Sequence, residues 1–260
     1  MINHRNNKAY PRIDLYKGRV KPMRKRSQLI MLLGAIICIC AAAVFSEEPA
    51  AKPVSAGMVS TAFERPLLII DAGHGGADGG CVSVDGTPEK GINLSILQTM
   101  RDAAAIMGYD VVCTRESDVS IHDEGITGLS KQKKSDMDNR LAIINKYEGA
   151  VAVSIHQNQF TDQKYSGAQM FYPKASEESH ALAEALRGRV VSTLQSTNER
   201  ETKPVGDELF LLNNAKCPIV MAECGFLSNE GEAARLENPV YQKQMALTLL
   251  FGVNDYIFSK

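Results

Sequence analysis

Short apolar runs alternate along this chain with segments whose apolar residues recur at helical spacing, and this alternation constrains the fold most. "LLIID" at 67–71 and "AVAVSIH" at 150–156 suit buried strands, while Ile92 and Ile96 lie one helical turn apart. Parallel strands need long crossover connections, which helices commonly supply. We therefore predict one α/β domain over 66–260, with a twisted, mostly parallel sheet flanked by helices on both faces.

The same pattern places the remaining elements. The predicted strands are "YDVVCT", "GAQMFYP" as a possible edge strand, "ELFLL" and "PIVMAE". Helices are predicted from near Ile92 to Gly108, in "MDNRLAIINKY", around 182–194 and around 245–257. The polar, glycine-containing segment 116–135 is expected to be a long loop.

The N-terminal part of the chain is typical of an exported protein. Residues 1–28 carry nine Lys/Arg and one acid, and the next 17 residues, 29–45, contain no charge. At about 1.5 Å per residue this apolar run spans about 25 Å, which suits a signal peptide or a short signal anchor. We predict a basic cytoplasmic head at 1–28, the export or transmembrane segment at 29–45 and a linker at 46–65, with cleavage left open.

Charge and cysteine content exclude several classes of protein. Beyond residue 28 the chain has 20 basic and 29 acidic residues, so no nucleic-acid surface is expected. No CxxC pair is present, which argues against a cysteine zinc cluster. Two of the six cysteines lie in the apolar run, and the other four are expected to be buried free thiols, although their redox state is left open: Cys38, Cys40; Cys81, Cys113, Cys217, Cys224.

Polar side chains stand where predicted strands end. His74 follows "LLIIDAG", His156 ends "AVAVSIH" and Glu223 ends "PIVMAE". Glu89 stands just before the helix that begins near Ile92. Because functional groups of open α/β sheets gather at the carboxyl ends of the strands, we expect these four side chains to lie close together.

Two imidazoles and a carboxylate form a typical open zinc site, with a fourth position for water and a further carboxylate to move its proton. A single histidine at a strand end is more often structural, so only the four residues together indicate a metal site. His4 and His180 are expected to be solvated, and His122 in the polar loop has at most a substrate role. A phosphate-binding loop and a serine hydrolase are both disfavoured, because the Lys-Ser/Thr and the GxSxG elbow are missing.

Six motifs occur in order: "IIDAGHGGADGG", "EKGINL", "TRESD", "DNRLAIIN", "VSIHQN" and "IVMAECGFLSN". Together they resemble the zinc-dependent N-acetylmuramoyl-L-alanine amidases of the amidase-3 type, over about 67–256. The tail "YQKQMALTLLFGVNDY" and the single-domain layout resemble the germination-specific, spore-cortex branch of that family.

This resemblance implies roles for the four residues. His74, Glu89 and His156 would bind one Zn²⁺ per chain, and Glu223 would be the catalytic acid/base. The implied reaction is hydrolysis of the amide between N-acetylmuramic acid and L-alanine in peptidoglycan. Cys224 stands where relatives often carry a small residue or threonine, so its oxidation or metal capture is worth checking.

The family's biology implies a setting for this reaction. Peptidoglycan is the expected substrate, and an activator or lipoprotein is a possible partner. The protein is expected in the cell wall or the intermembrane space of the forespore, in contact with the membrane if 29–45 is uncleaved. Two alternatives stay open: another zinc peptidase or carboxypeptidase acting on wall peptides, which would need a cationic pocket, and a non-catalytic wall-binding protein.

Overall fold

The computed structural model describes residues 65–259, which form six strands and six helices. The strands are β1 (Leu67–Ala72), β2 (Asp110–Cys113), β3 (Val151–Asn158), β4 (Gln169–Pro173), β5 (Lys203–Val205) and β6 (Ile219–Phe226). The helices are α1 (Glu89–Ile106), α2 (Leu129–Ile144), α3 (Glu177–Thr193), α4 (Phe210–Asn214), α5 (Glu230–Leu236) and α6 (Pro239–Phe258).

All six strands form one mixed sheet in the order β2-β1-β3-β6-β4-β5. Strands β2, β1, β3 and β6 pair in parallel, as do β4 and β5, but β4 runs antiparallel to β6. The predicted α/β class is therefore confirmed. Four of the five strand pairings are parallel, as predicted, and the antiparallel pairing of β4 with β6 makes the sheet a mixed one. The suggestion that β4 is an edge strand is wrong, because β5, too short to predict, covers its outer side.

Helices cover both faces of the sheet, as the alternation of side chains along each strand requires. On one face, Leu68 and Ile70 of β1 pack in the core formed with α1, α3 and α6. On the other face, Ile69 packs in a smaller core with residues of α2 and α4, among them Ile144 and Leu211. Residues of α2 and α4 also line a cleft at the carboxyl ends of β1, β3 and β6.

Two sequence predictions on the α2–α4 face are wrong. "ELFLL" is not a strand: helix α4 begins at Phe210, and so short an apolar run does not distinguish the two states. Helix α2 begins at Leu129 rather than near Met137, so the preceding loop is shorter than expected. Its first half buries the polar residues Ser135 and Asp136, which hides the apolar period that marks a helix.

The predictions for the N-terminal head, the export segment and nearly all of the linker concern residues 1–64, which lie outside the described residues. Within 65–259, every helix lacks the length or the apolar character needed to span a bilayer. The four described cysteines are free thiols, as expected, but only Cys224 is buried; the other three are partly exposed: Cys81, Cys113 and Cys217.

Candidate metal centre

The four predicted site residues meet at one edge of the sheet. Strands β1, β3 and β6 are parallel neighbours, so their carboxyl ends open on the same side. His74 and Glu223 line a cleft of about 390 Å³ there, together with His156. Glu89 was predicted to stand just before helix α1, but it is the first residue of that helix. Its buried carboxylate lies next to both histidines.

Three of these side chains are close enough to share one cation. One potential ligand atom from each of His74, Glu89 and His156 lies within 4.8 Å of the others. The Nε2 atom of His74 is 2.6 Å from Oε1 of Glu89, and the Nδ1 atom of His156 is 4.0 Å from Oε2 of Glu89. The two imidazole rings stand edge to face, with centroids 5.0 Å apart.

The charge states of two of these groups also suit a metal. Burial lowers the pKa of His156, which favours the neutral imidazole that binds metals. Burial raises the pKa of Glu89, but the hydrogen bond with His74 and the proximity of His156 outweigh it and hold the pKa below its usual range. Backbone N–H groups of Gln157 and Cys81 also donate to the Glu89 carboxylate, at 2.7 and 3.1 Å.

Two glycines make the close approach of these ligands possible. A Cβ on Gly73 would lie 2.1 Å from Cε1 of His156, and a Cβ on Gly80 would lie 2.1 Å from Oε1 of Glu89. Any side chain at either position would push a ligand away. Two imidazoles and an anionic carboxylate in such a cradle are the donor set that zinc accepts, so the residues fit this metal.

Asp78 also belongs to the site, although no sequence pattern predicted it. Its Oδ2 atom is 2.8 Å from Nδ1 of His74, and its Oδ1 atom is 2.7 Å from Nζ of Lys133. A carboxylate on the far nitrogen fixes the orientation and tautomer of a metal-binding histidine. Burial lowers the pKa of His74, but Glu89 and Asp78 together raise it above its ordinary value. The spacing of Asp78 four residues after His74 was the available indication.

Two buried arginines hold the loop that carries His74. Arg140 donates to the carbonyl oxygens of Ala72 and His74, at 2.7 Å each. Arg115 donates to Gly73 at 3.1 Å and, with the same nitrogen, to Lys90 at 2.8 Å. Arg115 therefore ties the loop after β1 to helix α1, which carries Glu89. His74 itself has a φ of 63°, rare for a residue other than glycine, and these bonds help to hold it there.

Glu223 lies directly opposite His156 in the register of β3 and β6, so both side chains project from the same face. Its Oε2 atom is buried and has no hydrogen-bond partner among the described residues. Burial and the nearby charge of Glu89 raise the pKa of Glu223 to about 8. A buried acid with a free oxygen and a raised pKa is typical of a group that moves protons.

The other residues that the sequence singled out lie elsewhere. His122 does not line the cleft, and its Nδ1 atom is 2.9 Å from Oγ of Ser120. His180 is partly exposed and stacks on Tyr172 of β4, and His4 lies outside the described residues. Cys224 is buried in the core on the opposite face of the sheet from Glu223, where burial raises its thiol pKa and disfavours metal capture.

Comparison with known proteins places this geometry in a family. Residues 68–255 match Amidase_3, the N-acetylmuramoyl-L-alanine amidases. The chain belongs to this family. It is 34% identical over 240 residues to the germination-specific N-acetylmuramoyl-L-alanine amidase of Bacillus subtilis (strain 168), a match that covers 92% of this chain and 98% of the relative.

Solved structures agree with this assignment. The CwlD amidase of Clostridioides difficile, solved in complex with the GerS lipoprotein, is 37% identical, with a TM-score of 0.73 over 75% of this chain and 100% of that one. An N-acetylmuramoyl-L-alanine amidase from Clostridium difficile 630 is 26% identical, with a TM-score of 0.65 over 75% and 98% of the two chains.

The family decides the enzyme class. This amidase hydrolyses the amide bond between N-acetylmuramic acid and L-alanine in peptidoglycan, as the six motifs predicted. The matched region, 68–255, agrees with the span of the resemblance to within one residue at each end. The carboxypeptidase and non-catalytic alternatives are therefore not favoured.

Proposed function

We propose that His74, Glu89 and His156 hold one zinc ion and that Glu223 is the catalytic acid/base of this amidase. The observation that carries the proposal is the convergence of three ligand atoms within 4.8 Å, next to a carboxyl group with a free buried oxygen. When bound there, zinc polarises a carbonyl group and lowers the pKa of a water molecule, which favours hydrolysis at neutral pH.

The chain's own residues divide the remaining work. In its ionised form, Glu223 accepts a proton from the attacking water, and the resulting carboxylic acid donates that proton to the departing nitrogen of L-alanine. Asp78 keeps the Nδ1–H of His74 occupied, so that Nε2 is the nitrogen that faces Glu89. Arg115 and Arg140 fix the backbone of the loop that carries His74. The His74 ring is therefore held in place before the substrate binds and does not have to be reoriented during the reaction.

We also propose a role in the spore cortex. The support is the similarity to a relative named as germination-specific and to the CwlD amidase. By the same similarity, a lipoprotein partner comparable to the one bound in the CwlD complex is proposed for this chain. Export through residues 29–45, to the cell wall or the forespore intermembrane space, completes this setting.

The enzymatic part is tested with the purified full chain, isolated sacculi and metal analysis. Mass spectrometry of the products should show free stem peptides that begin with L-alanine, and one zinc per chain should be found. His156→Ala should lose both zinc and activity, whereas His180→Ala, a change at an exposed histidine, should lose neither. Full activity of a zinc-free preparation, or of His156→Ala, contradicts the proposed metal site.

The cortex role is tested in the bacterium that carries this chain. A strain without it should form spores whose cortex muramic acid keeps its stem peptides, while the vegetative wall is unchanged. Complementation with the Glu223→Gln variant should leave the defect in place. A normal cortex in the deletion strain would reject the role in spores without affecting the amidase assignment.

A further inference from the structure

A row of neighbouring side chains leads from the position opposite Glu223 to an exposed pair of aromatic rings. Gln169 of β4 lies opposite Glu223 in the register of β4 and β6, so it projects on the same face of the sheet as the site. Its Oε1 atom accepts a hydrogen bond from Nη2 of Arg200. The guanidinium of Arg200 in turn lies 4.9 Å from the centroid of the Phe226 ring.

A β-bulge brings Phe226 into this row. Two steps along β3, from His156 to Asn158, match three steps along β6, from Glu223 to Phe226. The extra residue puts Phe226 opposite Asn158, which faces the same way as His156. Without the bulge, residue 226 would project from the other face.

The row ends in two rings that are open to solvent. Tyr165 lies with its ring centroid 6.3 Å from Phe226, and Phe160 stands edge to face against Tyr165 at 5.0 Å. Phe160 is 53% exposed and Tyr165 is 38% exposed. Both belong to the connection between β3 and β4, so they stand beside the carboxyl end of β3, where His156 is located.

We propose that Phe160 and Tyr165 form a platform on which a sugar ring of the peptidoglycan glycan strand stacks beside the cleft. The amide that is cleaved hangs from a muramic acid unit inside a sugar polymer, so neighbouring units must cross the surface next to Glu223. A pyranose has an apolar C–H face and a polar rim, which match an aromatic face flanked by polar groups. Lys164, whose Nζ lies 5.4 Å from the Tyr165 centroid, supplies such a group together with Asp162, with which it forms an exposed ion pair at 2.8 Å.

This inference rests on the peptidoglycan activity but not on the zinc ligands, and the test keeps the two apart. Hydrolysis is measured on glycan strands from sacculi and on a muramoyl dipeptide, which has one sugar. Phe160→Ala should raise the KM for strands about 3- to 10-fold more than the KM for the dipeptide. Phe160→Tyr, which keeps the ring, should restore the strand KM. Phe258→Ala removes an exposed ring at the end of α6 and should leave both KM values unchanged.

Binding provides a readout without catalysis. Peptide-free glycan strands should bind the Glu223→Gln variant in calorimetry, and adding Phe160→Ala should weaken that binding by a similar factor. Equal KM shifts for both substrates, or unchanged binding of peptide-free strands, would overturn the proposal. The same holds if Phe160→Ala weakens association with a lipoprotein while strand binding is unaffected, because the platform would then belong to a protein partner. If neither the unmodified protein nor any variant hydrolyses either substrate, the peptidoglycan activity is rejected, and the binding of peptide-free strands in calorimetry still tests the platform separately.

Discussion

Two acids of the same sheet, Asp71 of β1 and Glu223 of β6, differ sharply in their hydrogen-bond partners; strand β3 lies between them. Asp71 is buried, and the Oε2 atom of Glu223 is also shielded from solvent. Asp71 accepts hydrogen bonds from Thr114 at 2.7 Å, Ser154 at 2.5 Å and Arg140 at 2.5 Å. Glu223 has a buried oxygen without a partner among the described residues.

Their pKa values move in opposite directions for this reason. Burial raises the pKa of Asp71, but the charge of Arg140 and the bond from Ser154 outweigh it and bring the pKa to about 2. For Glu223 nothing of that strength opposes burial, and the nearby Glu89 adds to it, so the pKa rises to about 8. Burial alone therefore does not determine what a carboxyl group does; its partners decide whether it supports the fold or stays available for proton transfer.

The largest effect is expected from Glu223→Gln. The amide cannot exchange a proton, so kcat on sacculi should fall about 10²- to 10⁴-fold. Because no described residue depends on its free oxygen, the melting temperature and zinc content should stay close to those of the unmodified protein. Glu237→Gln, at another buried oxygen without a partner, is the matched control and should retain activity. A comparable loss of activity in Glu223→Gln and Glu237→Gln would contradict a specific role of Glu223 in proton transfer.

Arg140→Met should cause the largest loss of stability. It leaves the charge of Asp71 buried without its cation and frees the carbonyls of Ala72 and His74, which should cost about 3–5 kcal/mol in the free energy of unfolding. Urea unfolding measures the change. Arg189→Met breaks a more exposed pair with Asp255 and should cost at most about 1 kcal/mol. If both substitutions lower the free energy of unfolding equally, the buried hydrogen bonds of Arg140 add no stability beyond that of an exposed ion pair.

Asp78→Ala should weaken zinc binding about 10- to 100-fold, because the His74 ring loses its orienting partner. Competition with a chromogenic chelator measures the zinc affinity directly. The matched control is Asp138→Ala, which breaks an exposed carboxylate–lysine pair with Lys134 on helix α2. Zinc affinity that is unchanged in Asp78→Ala would mean that the Asp78 contact does not position His74.

The smallest predicted effect is the change in stability at acidic pH when Asp71 is replaced. The folded-state pKa of Asp71 is depressed, so its contribution to stability is present above about pH 4 and is lost as pH falls towards 2. The shift corresponds to about 2 kcal/mol. In urea unfolding from pH 5 to 2, Asp71→Asn should flatten the decline by that amount, whereas Asp110→Asn, an exposed acid of β2, should not. If the free energy of unfolding falls equally with pH in Asp71→Asn and in the unmodified protein, the depressed pKa of Asp71 is rejected as a source of stability.

Much of the site could be predicted because its residues carry local marks. His74, His156 and Glu223 each follow a run too apolar to face water, and neighbouring parallel strands bring such ends together. Asp78, Arg115 and Arg140 do not follow an apolar run of this kind. Arg115 and Arg140 stand inside the motifs "TRESD" and "DNRLAIIN", but their partners lie up to 69 positions away in the sequence.

The sequence by itself determined the α/β class, the strand ends that carry the candidate ligands, and the family. Periodicity records which face of an element is buried, and this information is local. Only the tertiary structure decided that β4 reverses, that "ELFLL" is helical, that a bulge places Phe226 beside the cleft, and that Asp71 and Glu223 differ in pKa. These features depend on which distant groups meet after packing, since hydrogen bonds and charges act across space rather than along the chain.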